Sequence, residues 1–186
     1  MKKSAQVHKG FTLVELLVVI AIIAILAAVV VLIINPLELT RRGRDAARLT
    51  DLANLQQAIN VAVQEATDSA EVILCSQGGP TCVGRTTESS PRASDGTGWV
   101  KVDLSAQQSV SVPTLPVDPV NSAAYHYTYC SDGEAWEINT DLESAQQTAA
   151  GNDKREEDGG DDTALYEVGS KLDLIKTSGG TCTYAP

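Results

Sequence analysis

The longest apolar segment of the chain constrains its fold more than any other feature. From Leu16 to Ile34 the sequence reads LLVVIAIIAILAAVVVLII, with no charged residue, no glycine and no proline. At about 1.5 Å of rise per residue, a helix of this length can cross a hydrocarbon core of roughly 30 Å. Only a helix satisfies every backbone hydrogen bond inside lipid without a partner segment. The sequence therefore predicts one membrane-spanning helix near the N-terminus.

The rest of the chain suffices for one modest globular domain. The chain has 186 residues, and most of those outside the apolar segment follow it. A polypeptide of this size accommodates one head and one appendage rather than two full domains. The formal net charge is −10, and this charge repels the phosphates of nucleic acids. We therefore do not expect the isolated chain to bind nucleic acid.

A second helical segment is predicted after Pro36. Apolar residues recur there at steps of three and four, the period of a helix with one buried face. They are Leu49, Leu52, Leu55, Ile59, Val63 and Ala66. Arg48 and Asp51 fall at helical neighbour spacing and are expected to pair. Together with the apolar segment, this pattern predicts a continuous or once-kinked helix from Phe11 to about Thr67, with Pro36 as the kink.

Strand signals begin beyond residue 78. The segments WVKVDL at 99–104, YHYTYC at 125–130 and AWEINTDL at 135–142 have the composition of strands, and SDGE at 131–134 has that of a tight turn. We expect the last two segments to form a hairpin within a small antiparallel sheet. The predicted fold class is therefore α+β: a long N-terminal helix, transmembrane and then amphipathic, packed on a small antiparallel β-sheet head.

All four cysteines follow the apolar segment. They are Cys75, Cys82, Cys130 and Cys182. None has the Cys-x-x-Cys spacing of a zinc or thioredoxin-like site, so disulfides in an oxidising compartment are the simpler interpretation. A bond between Cys75 and Cys82 would close a short Gly/Pro turn, and one between Cys130 and Cys182 a long C-terminal loop. Four buried free thiols are the alternative, because connectivity cannot be deduced from sequence.

One carboxylate interrupts the apolar N-terminal region. In KGFTLVELLVVIAIIAILA, from Lys9 to Ala27, Glu15 is the only charged residue after Lys9. A carboxylate inside a membrane helix costs roughly 2.5–3.5 kcal/mol, so it requires a partner. Cleavage after Gly10 would create an α-amine on Phe11, which could pair with Glu15 in the same or a neighbouring chain. A buried pair of opposite charges would fix the axial register between neighbours more sharply than apolar contact does.

This segment resembles the type IV prepilin signature: a short basic leader ending in glycine, then Phe-Thr-Leu-Val-Glu, then an apolar helix. The resemblance implies that a prepilin peptidase cleaves between Gly10 and Phe11 and N-methylates Phe11, and that Glu15 docks subunits. It also implies four segments: a leader at 1–10, a transmembrane or filament-core helix at 11–34, the amphipathic half of the long helix at 35–67, and a pilin head at 68–186.

Location and partners follow from the same resemblance. It implies a single-pass protein of the inner membrane with its head outside the cytoplasm, which then enters an extracellular or periplasmic filament. The implied partners are the prepilin peptidase and methyltransferase, identical or related pilin subunits, and an inner-membrane assembly platform. The filament is a type IV pilus or a type II secretion pseudopilus, and the sequence leaves this choice open. The alternative function is a single-pass, membrane-anchored surface protein that binds a partner without polymerising.

Two further expectations concern chemistry. The sequence has no nucleophile-elbow, phosphate-loop or zinc-protease motif, so we do not expect an enzyme. Major pseudopilins hold calcium in a loop near the C-terminus, and the acidic segment NDKREEDGGDD offers hard oxygen ligands for this ion. The candidate ligands are Asp153, Asp158, Asp161 and Asp162. Calcium is therefore a candidate cofactor, with a solvated acidic loop as the alternative.

Overall fold

The computed structural model describes residues 10–105, 107, 109, 111–175 and 182. The chain divides into two compact units, Met1–Leu39 and Thr40–Pro186. The described helices are α1 (Leu13–Ile33), α2 (Pro36–Glu65), α3 (Ala70–Leu74) and α4 (Lys154–Glu157). The described strands are β1 (Cys82–Arg85), β2 (Thr128–Ser131), β3 (Trp136–Thr140) and β4 (Tyr166–Gly169). This arrangement confirms the predicted α+β class.

The predicted long helix is two helices, interrupted where the sequence predicts a kink. α1 ends at Ile33 and α2 begins at Pro36. The residue before a proline is disfavoured in the helical conformation, whereas proline itself is favoured in the first turn of a helix. Asn35 caps the new helix, because its Oδ1 accepts a hydrogen bond from the backbone N–H of Glu38 at 3.3 Å. The Asn-Pro pair therefore ends one helix and starts the next.

The four strands form one antiparallel sheet in the order β1-β2-β3-β4. The predicted hairpin is confirmed: Ser131 of β2 lies opposite Trp136 of β3. In the turn between them, Gly133 has a φ of +87°, a conformation that glycine adopts without steric cost. The side chain of Asp132 closes the turn by accepting hydrogen bonds from two backbone N–H groups.

The predicted strand at 99–104 is wrong. Val100, Val102 and Leu104 are buried as its alternating pattern requires. However, the backbone of this segment bonds to loops: the Lys101 carbonyl accepts from Ser76, and the Leu104 N–H donates to Ser94. The alternation of apolar and polar residues thus shows that every second side chain is buried. A loop that crosses a core can have this pattern as well as a strand.

One face of the sheet packs on α2 to form the main core. Tyr129, Ile138 and Val168 of the sheet lie in the same buried cluster as residues of the α2 stripe. The buried apolar residues of α2 are Leu52, Leu55, Ala58, Ile59 and Ala62. Val63, which the sequence places in the stripe, is 38% exposed. Ala58 and Ala62 belong to the same buried cluster as the sheet residues.

Arg48 of α2 is the buried hub that fixes this helix to the head. Its guanidinium does not pair with Asp51, as the sequence predicts, but with three carboxylates. It donates to Asp118 at 2.6 and 3.0 Å, to Asp45 at 2.8 Å and to Glu143 at 2.7 Å. Removing one partner of such a buried network leaves an uncompensated charge, at a cost of roughly 3–5 kcal/mol.

A second arginine extends the network toward the surface. Both oxygens of the Glu143 carboxylate accept hydrogen bonds from Arg44, each at 2.6 Å. The Arg44 guanidinium lowers the pKa of Glu143 to about 2. Asp51, the expected partner of Arg48, instead accepts a hydrogen bond from the Tyr127 hydroxyl at 2.9 Å. Charges at long sequence separation thus hold α2 on the sheet domain.

Two disulfides lie in the head: Cys75–Cys82 and Cys130–Cys182. This is the pairing considered from the sequence. The first closes the turn between α3 and β1. The second joins β2 to residue 182, which also donates its backbone N–H to the carbonyl of Leu174. On the second face of the sheet, Leu174, Ile175 and Cys182 therefore lie in one buried cluster with Cys130 of β2.

That second face buries two carboxyl groups. Glu137 of β3 and Glu167 of β4 are at most 1% exposed. Oε2 of Glu137 accepts the backbone N–H groups of Leu174 at 2.8 Å and Ile175 at 3.0 Å, and Oε2 of Glu167 accepts that of Asp162 at 3.2 Å. Burial raises the pKa of both carboxyls, and the neighbouring Glu137 carboxyl contributes to raising that of Glu167 to about 9. The pair therefore retains a proton at neutral pH.

The retained proton predicts a pH dependence of stability. The folded-state pKa of Glu167 is raised above its ordinary 4.5. The contribution of the Glu137–Glu167 pair to the unfolding free energy should therefore be largest below about pH 4.5 and fall as the pH rises toward 9, because the unfolded chain releases the proton first. Glu167→Gln removes this dependence, so its unfolding free energy should improve relative to wild type between about pH 5 and about pH 9. Denaturant unfolding followed by tryptophan fluorescence measures the difference. Glu134→Gln, at an exposed position, is the control, and a pH-independent difference for Glu167→Gln would contradict the pairing.

Candidate processing and assembly site

The N-terminal junction of the described chain is exposed and lies outside the helix. Gly10, Phe11 and Thr12 precede α1, which begins at Leu13. Phe11 is 81% exposed, and a Cβ added at Gly10 would meet no described atom within 4 Å. The peptide bond between Gly10 and Phe11 is therefore accessible, and the described structure gives no steric reason for a glycine at residue 10.

Thr12 sets the start of α1. Its backbone is extended, with φ −79° and ψ 151°, and its hydroxyl oxygen accepts a hydrogen bond from the backbone N–H of Glu15 at 3.2 Å. In return, Oε2 of Glu15 accepts the Thr12 backbone N–H at 2.9 Å and the Thr12 hydroxyl at 2.7 Å. This reciprocal arrangement is a capping box, which satisfies donors that a helix N-terminus otherwise leaves unpaired.

The capping box engages only half of the Glu15 carboxylate. Both bonds from Thr12 end on Oε2, and no described residue donates to Oε1. The side chain thus has a local partner within the chain and an oxygen that can accept a further donor. Because the next residues are apolar, a cationic donor bound there would lie in a low dielectric, where its attraction to the carboxylate is strong.

α1 behind this junction is apolar on every side. From Leu13 to Val31 the helix has a mean hydropathy of 3.2, and none of its side chains is buried. Its length and composition suffice to cross a membrane. A helix that is hydrophobic all round requires a lipid or helical environment rather than one apolar groove.

Only some of the N-terminal residues singled out from the sequence lie in the described part of the chain. Gly10, Phe11 and Glu15 form the junction described above. The basic leader residues Lys2, Lys3 and Lys9 lie outside the described residues. Thr12, which sequence reasoning passed over, completes the site. Its signal was present, because a threonine three residues before a glutamate at the start of an apolar helix is the pattern of a capping box.

The predicted calcium ligands do not fit a calcium site. Both carboxylate oxygens of Asp153 bind the guanidinium of Arg155. Asp158 accepts the backbone N–H groups of Gly160 and of Glu167 in β4, and Asp162 accepts that of Ala164. Asp161 is exposed. Within the described ranges, no three His, Cys, Asp or Glu side chains are grouped so that they could hold a metal ion.

The capping box predicts a measurable effect of Thr12. Thr12→Ala should weaken the first turn of α1 by about 1 kcal/mol, or roughly fivefold in an opening equilibrium. In the full-length chain in micelles, we expect the amide of Glu15 to exchange with solvent about fivefold faster. Thr12→Ser keeps the hydroxyl and should exchange as wild type does. Equal exchange rates in Thr12→Ala and wild type would show that the capping box does not form.

Comparison with known proteins identifies this same region. Residues 6–31 match the family model described as the prokaryotic N-terminal methylation motif. The matched range includes the Gly10–Phe11 bond, the capping box of Thr12 and Glu15, and most of α1. Neither the curated proteins nor the solved structures give a significant match to the chain. The chain therefore carries the prepilin and pseudopilin signature at its N-terminus.

Proposed function

We propose that the chain is a filament subunit of the type IV pilus or pseudopilus kind. It is made as a prepilin, cleaved between Gly10 and Phe11, N-methylated on Phe11, and polymerised through α1. The observation that carries the proposal is the methylation motif placed over an exposed, non-helical junction in front of a helix that is apolar except for Glu15.

The junction suits proteolysis. A peptidase requires a scissile bond that it can reach from several sides, and Gly10 and Phe11 are exposed and precede the helix. The absent side chain at Gly10 lets an enzyme approach the backbone closely. Thr12 contributes by starting α1 at Leu13, so that helical hydrogen bonding does not extend into the bond to be cleaved.

The apolar helix suits two successive environments. Before processing, α1 spans the inner membrane with lipid on all sides. In the filament, α1 helices of neighbouring subunits replace that lipid and pack on one another. An assembly that repeats one head-to-tail contact without closing produces a fibre. Because α1 beyond Glu15 is apolar around its whole circumference, both environments satisfy that part of the helix.

Glu15 supplies the register of the fibre. Cleavage converts the Phe11 amide into an amine, and N-methylation leaves that amine protonated at neutral pH. The amine of one subunit binds the Oε1 side of Glu15 in its neighbour, while Thr12 continues to bind Oε2. A buried charge pair tolerates little axial displacement, whereas apolar contacts tolerate much.

The disulfides favour a head outside the cytoplasm. Structural disulfides form and persist in oxidising compartments and are rare in the cytosol. The head contains both Cys75–Cys82 and Cys130–Cys182. We therefore place the head on the extracytoplasmic face of the inner membrane before assembly, with the leader and the peptidase partner on the other face.

Substitution of Glu15 tests the proposal. Glu15→Gln keeps an oxygen that accepts hydrogen bonds from Thr12 but removes the charge, and Glu15→Ala removes both. We expect each variant to insert in the membrane and to reduce the sheared fibre fraction more than roughly tenfold, because a buried charge would lose its partner. Val18→Leu, a conservative change on the same helix, is the control. Immunoblots of the fibre and membrane fractions measure the distribution.

The outcomes separate the role of Glu15 from the function itself. Wild-type fibre yield in Glu15→Gln would contradict the charge pair but leave polymerisation in place. A wild-type protein that stays in the membrane fraction under conditions in which the native cell assembles its filaments would contradict the filament function. That result would favour the alternative, a membrane-anchored surface protein that binds a partner without polymerising.

A further inference from the structure

Arg155 of α4 is surrounded by oxygen atoms from three separate segments. Its Nε and Nη2 donate to the two carboxylate oxygens of Asp153, at 3.0 and 2.7 Å. Its Nη1 donates to Oδ1 of Asp141 at 3.4 Å and to the backbone carbonyl of Ala164 at 3.3 Å. The guanidinium therefore binds two carboxylates and one carbonyl.

These partners lie at both ends of the connection between β3 and β4. Asp141 directly follows β3, and Ala164 lies just before β4, so residues 141–165 join two neighbouring strands. The strand ends are adjacent, since Thr140 pairs with Tyr166. Asp153 belongs to the middle of the connection, where it caps α4. Arg155 thus ties the middle of a long connection to both of its ends.

The donor set is of the type that a calcium ion takes. Calcium in proteins is bound by carboxylate and backbone carbonyl oxygens, which is also the chemistry around Arg155. A guanidinium carries a permanent positive charge and a planar fork that matches a carboxylate. Because Asp153 gives both oxygens to that fork, its carboxylate is already neutralised by a side chain of the same chain.

We propose that Arg155 is the resident cation of the β3–β4 connection, and that this end of the head closes through its guanidinium instead of a divalent metal. Asp153, one of the carboxylates that suggest calcium by resemblance, is then neutralised by a side chain of its own segment. The Arg155 side chain is 20% exposed and that of Asp153 is 8% exposed, so the pair is largely shielded from solvent. The same contact lowers the pKa of Asp153.

Thermal unfolding of the full-length chain in detergent micelles tests this proposal. Trp99 and Trp136 are buried in the head, so their fluorescence reports its unfolding. Each protein is measured with excess calcium chloride and with excess chelator. A ligand that binds only the folded state would raise Tm in its presence. For the wild type, we expect the same Tm in both solutions.

Three variants isolate the guanidinium. Arg155→Ala should lower Tm by about 2–4 °C, the shift produced by a loss of about 1 kcal/mol in a domain of this size. Arg155→Lys should fall between this variant and wild type, because an ammonium cannot bind both oxygens of Asp153 as a fork does. Lys154→Ala removes an exposed neighbouring cation and should leave Tm unchanged.

Two results would overturn the proposal. A wild-type Tm that rises in calcium and falls in chelator would mean that a metal ion closes the head. A wild-type Tm for Arg155→Ala would mean that the guanidinium does not hold the connection. If Arg155→Ala fails to fold, the wild-type comparison between calcium and chelator still decides. None of these readouts depends on fibre formation, so they are independent of the proposed filament function.

Discussion

A single carboxylate at the start of an apolar helix is the constraint on which the proposed behaviour of this chain depends. Glu15 cannot enter a lipid or protein interior without hydrogen-bond donors, and Thr12 supplies two of them to one oxygen. This local solution lowers the cost of the charge in the precursor and leaves the second oxygen for another donor. Cleavage after Gly10 would provide a cationic one. Under the proposed function, the same residue would tolerate the membrane in the precursor and select the register of the fibre.

Charge also organises the head, although the chain has 24 acidic residues against 14 Lys and Arg. Three arginines act as internal cations: Arg44 and Arg48 bind carboxylates that hold α2, and Arg155 binds those of the β3–β4 connection. Arg44 and Arg48 join α2 to residues that are distant in sequence, and Arg155 joins the middle of the β3–β4 connection to its ends. A head that neutralises itself in this way can remain acidic at its surface and still be held together by charge pairs in its interior.

Three features of the structure could be predicted from sequence because they are local. The apolar run fixes α1, the Asn35-Pro36 pair fixes the interruption before α2, and the turn around Gly133 fixes the hairpin. The partners of Arg48 could not be predicted, because Asp118 and Glu143 are remote in sequence. Asp51 has the correct helical spacing for Arg48, yet it binds Tyr127. β1 and β4 escaped recognition because each has only four residues and includes a glycine.

The most direct test of the account is mass spectrometry of the N-terminus of the protein purified from its native cells. The account predicts a chain that begins at Phe11 and carries one added methyl group. An intact terminus at Met1 or Lys2 would mean that the leader is retained, which contradicts the filament function. A terminus beyond Ala27 would mean that the apolar segment is removed as an ordinary secretion signal, which contradicts it equally.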